Sequence, residues 1–224
     1  MENAKITLSY KIIKRIRSFF GKRLRKFRPT DRPKDDFTII SCNCIGGLVY
    51  HDLGYQFRSP TINLFIPMPD FIYFCLDLEN YLSKELVELK NDESDNKNYP
   101  VGLLGGDIRI HFMHYVSFQE AYDSWNRRKS RVFFDRIFVI ASDRDGFDES
   151  MLKDFSKIPY NKVLFTHKNI EEEYCVQIKK DKKLSTVRVL TDYINIFGVR
   201  RYEYYFDLPK WLTGSYTVKE CTLR

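Results

Sequence analysis

The sequence is most informative at first through what it lacks. The apolar residues near the N-terminus are broken by charge every few positions, which excludes both a transmembrane span and a signal-peptide core there. With no export signal, the expected location is the cytoplasm. The five cysteines (Cys42, Cys44, Cys75, Cys175 and Cys221) are odd in number, scattered, and contain no C-x-x-C pair. That excludes a disulfide framework and a zinc-ribbon site. Neither G-x-G-x-x-G nor a Walker A sequence is present, so dinucleotide-binding and P-loop NTPase functions fall. There is no G-x-S-x-G elbow, no internal repeat, and no third ligand beside His111-x-x-His114.

Positive charge, by contrast, is concentrated. Twelve Lys and Arg against four acids give the first thirty-six residues a net +8, while the whole chain carries +7. The remaining 188 residues are therefore close to neutral, at −1. Within this arm Leu8, Ile12, Ile13, Ile16, Phe19, Phe20, Leu24 and Phe27 recur at helical spacing. They span an arc of roughly 160° at 100° per residue. Lys11, Lys14, Arg15, Lys22, Arg25 and Lys26 lie opposite or at its edges, and Pro29 and Pro33 end the helix. A basic polar face combined with Phe on the apolar face suits the interface of an anionic membrane. Lys11, Lys14, Arg15, Phe19, Phe20, Lys22, Arg25 and Lys26 are the expected contacts. Nucleic acid is not expected as a partner, because arms that bind it rarely align this much Ile and Phe. Packing of this helix on its own domain is the competing reading.

The expected organisation is a basic amphipathic helix over 1–28, a linker over 29–36, and one domain over 37–224. Eighteen Phe and fifteen Tyr suit a well-packed body. Apolar runs at Phe37–Ser41, Ile62–Ile66, Val101–Leu104, Arg136–Ser142 and Asn161–His167 read as strands. A strand over Asp107–Tyr115, turned at Gly105-Gly106, would place His114 with Ile108, Ile110 and Phe112, and His111 on the opposite face. Cys175–Lys179 and Val187–Leu190 are weaker strands. Helices are expected near 48–53, 70–89, 117–131, 148–158 and 208–212, with Ser117-x-x-Glu120 as a capping box. The alternation argues for an α/β class fold: a mostly parallel or mixed sheet with flanking helices. In such folds ligands bind beyond the carboxyl ends of the strands. That singles out the loops at 41–47, 115–117, 143–146 and 166–169.

Four runs, Phe37–Phe65 (FTIISCNCIGGLVYHDLGYQFRSPTINLF), Asp107–Val132 (DIRIHFMHYVSFQEAYDSWNRRKSRV), Arg136–Gly146 (RIFVIASDRDG) and Asn161–Asn169 (NKVLFTHKN), resemble a bacterial family labelled domain of unknown function 1919. The resemblance spans roughly Phe37 to Trp211. Members are often named exopolysaccharide biosynthesis proteins and occur among capsule or exopolysaccharide genes. The resemblance implies a setting in bacterial surface-glycan assembly and a Rossmann-like α/β fold. It carries no catalytic residues with it.

Candidate chemistry follows from the nominated loops. Asp143-Arg144-Asp145 is a D-x-D after a buried strand, a place where two carboxylates can share Mg²⁺ or Mn²⁺ beside a sugar-nucleotide diphosphate. A polar turn capping the next helix is the alternative. Asn43, Gly46 and Gly47 sit where a strand meets a helix, suited either to a phosphate or to tight packing. His114 is the preferred general base, with His167 at another strand end. Ser41, Cys42 and Cys44 are nucleophile candidates without a triad. The basic stretch Arg127, Arg128, Lys129 and Arg131 reads as a solvated helix face. The expected site thus has His114, Asp143 and Asp145 as catalytic or metal-binding residues. Its ligand contacts are Ser41, Asn43, Gly46, Gly47, Ser117 and His167. The expected function is glycosyl transfer from a sugar nucleotide to a lipid-linked or polysaccharide acceptor at the membrane surface. The alternatives are O-acyl transfer and a non-catalytic adaptor role in glycan assembly.

Overall fold

Thr38–Ser41 (β1), Ile137–Ser142 (β5), Asn161–Thr166 (β6) and Cys175–Gln177 (β7) form a parallel four-stranded sheet in that order. The computed structural model describes residues 12–13, 15–21, 33–89 and 98–224. All of β1 and β5 are buried, as a sheet covered on both faces requires. Their side chains alternate between two cores. Ile40, Val139, Ala141 and Leu164 enter one, and Ile39, Phe138, Ile140, Val163 and Phe165 the other. Each fully buried residue of this size contributes about 1.5–3 kcal/mol, so the alternation itself assembles three layers.

The first face is covered by Met68–Leu76 (α2), Leu78–Ser83 (α3), Phe118–Lys129 (α4) and Leu152–Ser156 (α5), through Phe71, Phe74, Leu78, Trp125 and Phe155. The second is covered by Ile45–Leu53 (α1) and by C-terminal residues, including Leu208–Trp211 (α6) and Val218–Cys221 (α7). Trp211 stands edge-on to Phe138, and Phe206 to Phe165. Among the described residues, no helix is long and apolar enough to cross a membrane.

A second, antiparallel sheet comprises Leu86–Glu88 (β2), Val101–Leu104 (β3) and Ile108–His111 (β4). The hairpin expected at Gly105-Gly106 forms, with positive φ at both glycines. It does not join the parallel sheet, so that sheet is not mixed. The single helix expected over 70–89 is broken at Asp77 (φ −135°). Its last residues form β2, because pairing with β3 wins over helical spacing. Strand β4 ends at His111, short of the expected Tyr115. His111 is buried and stacked on Phe65, with ring centroids 4.3 Å apart, whereas His114 is exposed in the following turn. Residues 62–66 contribute one bridge, Phe65 to His111, and residues 187–190 form no strand. The basic stretch is not wholly solvated, since Arg128 is buried and donates to the Tyr115 hydroxyl.

Of the expected arm, residues 12–13 and 15–21 are helical. Arg15, Phe19 and Phe20 are exposed. Lys11, Lys14, Lys22, Arg25 and Lys26 lie outside the described residues. The described linker residues are bound to the body: Asp35 pairs with Arg58, Asp36 with Arg136, and the Tyr55 hydroxyl donates to the Pro33 carbonyl.

Candidate functional site

Parallel strands β5 and β6 deliver their next residues side by side. Ser142 pairs with Phe165, so Asp143 and His167 emerge at the same end of the sheet. The Asp143 carboxylate is almost wholly buried. Its Oδ2 accepts from the His167 backbone N–H (2.6 Å) and lies 2.5 Å from His167 Nδ1. Its Oδ1 accepts from the Val187 N–H at 2.8 Å. An ionised carboxylate accepts only, so Nδ1 carries the ring proton and Nε2 is the basic nitrogen. This is the arrangement by which a carboxylate fixes the tautomer and orientation of a general-base histidine.

The pair lines a cavity of about 180 Å³ together with Phe147, Asp148, Glu149, Thr166, Lys168, Ile170 and Ser185. Lys168 is ion-paired to Glu149 at its rim. Asp148 accepts from the Ser150 N–H and starts the next helical turn. His167 lines this cavity, whereas His114, the histidine preferred from the sequence, lines neither this cavity nor the next. The sequence holds the signal for this pairing: both residues directly follow buried runs that become adjacent parallel strands. Read one at a time, Asp143 joins Asp145 and His167 stays a strand-end histidine. Ser185 and Ile170 lie on irregular segments and carry no sequence signal.

A larger cavity of about 250 Å³ opens at the ends of β1 and β5. It is lined by Asn43, Cys44, Ile45, Phe65, Met113, Arg144, Asp145 and Val189–Thr191. Asn43 bridges the two strand ends, with Nδ2 3.4 Å from the Ser142 hydroxyl and Oδ1 accepting from the Ile45 N–H. Asp145 has a left-handed backbone (φ 57°), and its carbonyl accepts from the Met68 N–H. Desolvation pushes its carboxyl above the ordinary range, with Arg144 opposing. The D-x-D is thus divided between two cavities. Both oxygens of Asp143 already accept hydrogen bonds, and Asp145 faces elsewhere, so the pair does not fit a shared divalent cation. Among the described residues no three His, Cys, Asp or Glu side chains converge on a metal position.

Other expected contacts serve packing. A Cβ on Gly46 would fall 2.6 Å from the Ser41 hydroxyl, and one on Gly47 3.1 Å from Ile62 Cγ2. Gly46 lets α1 lie close on β1, and Gly47 lets it lie close on the segment at Ile62. The Ser41 hydroxyl is fully buried, donating to the Asn43 carbonyl and accepting from the Gly46 N–H. Burial pushes the Cys42 thiol up to about 12 and raises that of Cys44 as well, so neither is an activated nucleophile. Ser117 caps α4, accepting from the Glu120 N–H.

Comparison with known proteins places this chain in a family. A Haemophilus influenzae protein described as uncharacterized is 36% identical over 207 residues, covering 90% of this chain and 98% of its own length. Residues 15–213, which include both cavities and the Asp143–His167 pair, match the family described as a domain of unknown function (DUF1919), and the chain belongs to that family.

Proposed function

We propose that this protein is a membrane-surface transferase of bacterial exopolysaccharide or capsule assembly, moving a sugar from a sugar nucleotide to a hydroxyl. The observation that carries the reading is the His167–Asp143 pair at the carboxyl ends of β5 and β6. The parallel sheet serves as a Rossmann-like platform for ligands at that edge. The glycan setting rests on the resemblance, and the membrane and cytoplasmic-face location on the basic arm.

In the proposed step the acceptor hydroxyl gives its proton to His167 Nε2. Its oxygen forms the new bond to the anomeric carbon, and the nucleoside diphosphate leaves with the electrons of the broken C–O bond. Buried Asp143 stabilises the imidazolium that forms. The donor lies toward the larger cavity, where Arg144 and Asn43 offer polar contacts. A base-assisted transfer needs no enzyme nucleophile, in keeping with the raised thiols and the buried Ser41.

The test is turnover of a sugar-nucleotide panel with a lipid-linked acceptor fraction and anionic membrane present. His167→Gln should lower kcat by about 10²–10⁴-fold with little change in KM. Release of CoA from an acyl-CoA panel, with sugar nucleotides inert, would convert the reading to O-acyl transfer. Silence in both panels, with glycan production surviving His167→Gln, would leave only the adaptor role.

A further inference from the structure

The arm helix meets the body at a contact built from glycine. A Cβ on Gly198 would collide with the Arg17 carbonyl oxygen and lie 2.8 Å from the Gly21 Cα. Gly21 is itself buried. Two glycines thus bring a helix backbone and a loop backbone into direct contact. Gly198 (φ 75°) belongs to a small hairpin in which Tyr193 bridges Arg200 and the Ile194 N–H donates to the Val199 carbonyl at 2.9 Å. Asn195 Oδ1 accepts from the N–H groups of Phe197 and Val199, which shapes the tip. Arg200 anchors the hairpin, pairing with Asp52 of α1 at 2.7 Å and donating to the Thr191 carbonyl.

A tip this firmly held would ordinarily carry polar residues. It carries Ile196 and Phe197, 64% and 55% exposed. Across the glycine contact, Ile12, Ile13, Ile16, Phe19 and Phe20 are between 42% and 56% exposed. Seven large apolar side chains therefore stand in water on two elements that touch, a grouping that marks an interaction surface. The net +8 of the first thirty-six residues selects the occupant. A second copy would set like charge against like charge, whereas anionic headgroups complement it.

We propose that the Ile196–Phe197 tip enters the headgroup region of an anionic bilayer together with the apolar side of the arm helix, as a two-part wedge joined at Gly198 and Gly21. The inference rests on the membrane-surface reading above and deepens it. The hairpin continues directly from Val189–Thr191, a wall of the larger cavity. The wedge therefore sets that cavity beside the lipid surface, where an amphiphilic acceptor would present its head.

The experiment uses the full chain and phosphatidylcholine vesicles with brominated acyl chains, with or without phosphatidylglycerol. Wild-type emission from buried Trp125 and Trp211 is the baseline. With Phe197→Trp, the added emission should shift to the blue and be quenched only by the anionic vesicles. Ile196→Ser with Phe197→Ser should weaken sedimentation with them about tenfold. If wild type sediments but the introduced indole stays unquenched and the double variant binds equally, the wedge is wrong and the arm docks alone. If wild type ignores anionic vesicles, the membrane-surface reading falls with it. Lipid-independent dimers lost on the double substitution would reassign the surface to a second copy.

Discussion

Asp143 and Asp145 are two residues apart in one loop, yet their surroundings are opposed. Asp143 is buried among three donors, two from His167 and one from Val187. Asp145 sits half-buried on a left-handed turn, its carboxyl raised by desolvation and opposed only by Arg144. One charge is paid for by its hydrogen bonds; the other is tolerated. The same contrast separates the two ends of the sheet edge. At β5 and β6 the polar residues converge on a titratable pair. At β1, Ser41 and Gly46 hold α1 against the strand. A residue pattern suited to ligand binding therefore does structural work at one end and has the geometry for chemistry at the other.

The most forceful way to break this comparison is to exchange the fates of the two aspartates. Asp143→Ala strips the acceptor from two buried backbone N–H groups and from the His167 ring. Stability should fall by about 3 kcal/mol or more in urea unfolding, since unsatisfied buried donors cost about 1–3 kcal/mol each. Turnover should fall with it. The conservative Asp143→Asn, which keeps the volume, should regain part of the stability but not the rate, because an amide does not stabilise an imidazolium. Asp145→Ala should leave both nearly intact. Equal damage from Asp143→Ala and Asp145→Ala would show that the two environments do not differ in the way described.

That contrast also explains which parts of the molecule could be read in advance. The buried runs of β1, β5 and β6 and the Ser117 cap of α4 were legible because each is decided by its own few residues. Pairing was not. The segment 84–89 has helical spacing but ends as a strand, because β3 offers it backbone partners. His114 has the parity of a strand that stops three residues earlier, at His111. In the site, Asp143 and His167 were each visible, but their meeting depends on the register of two strands twenty-four residues apart in sequence. Ser185 and the Val187 donor reach the site along an irregular chain that follows no period.

The packing role of the β1 end can be sharpened with Gly46→Ala. Alanine is the better helix former by about 1 kcal/mol, so an unconstrained position would gain stability. Here the new methyl group would meet the Ser41 hydroxyl at 2.6 Å and Ile39 Cγ2 at 3.1 Å, both in the buried interface. Overpacking of this kind costs about 1–3 kcal/mol. The expected result is a net loss of stability in urea unfolding, with donor KM unchanged once the variant is folded. A rise in KM with stability unchanged would instead return Gly46 to the ligand site.

The smallest effect, and the one that isolates electrostatics, belongs to Asp145→Asn. A carboxyl whose folded-state pKa is raised penalises the native state wherever the group is ionised. The penalty is present in full above the folded-state pKa. It fades as pH falls and vanishes below the unfolded-state value, where the group is protonated in both states. Asp145→Asn should therefore be slightly more stable than wild type at neutral pH. That advantage should shrink to nothing as the solution is acidified through the carboxyl range. Paired urea titrations at neutral and acidic pH measure it as a difference of differences, which cancels any effect of the amide's own packing. A variant advantage that grows on acidification would mean that Asp145 carries a favourable partner in the native state. The contrast with Asp143 would then be one of degree only.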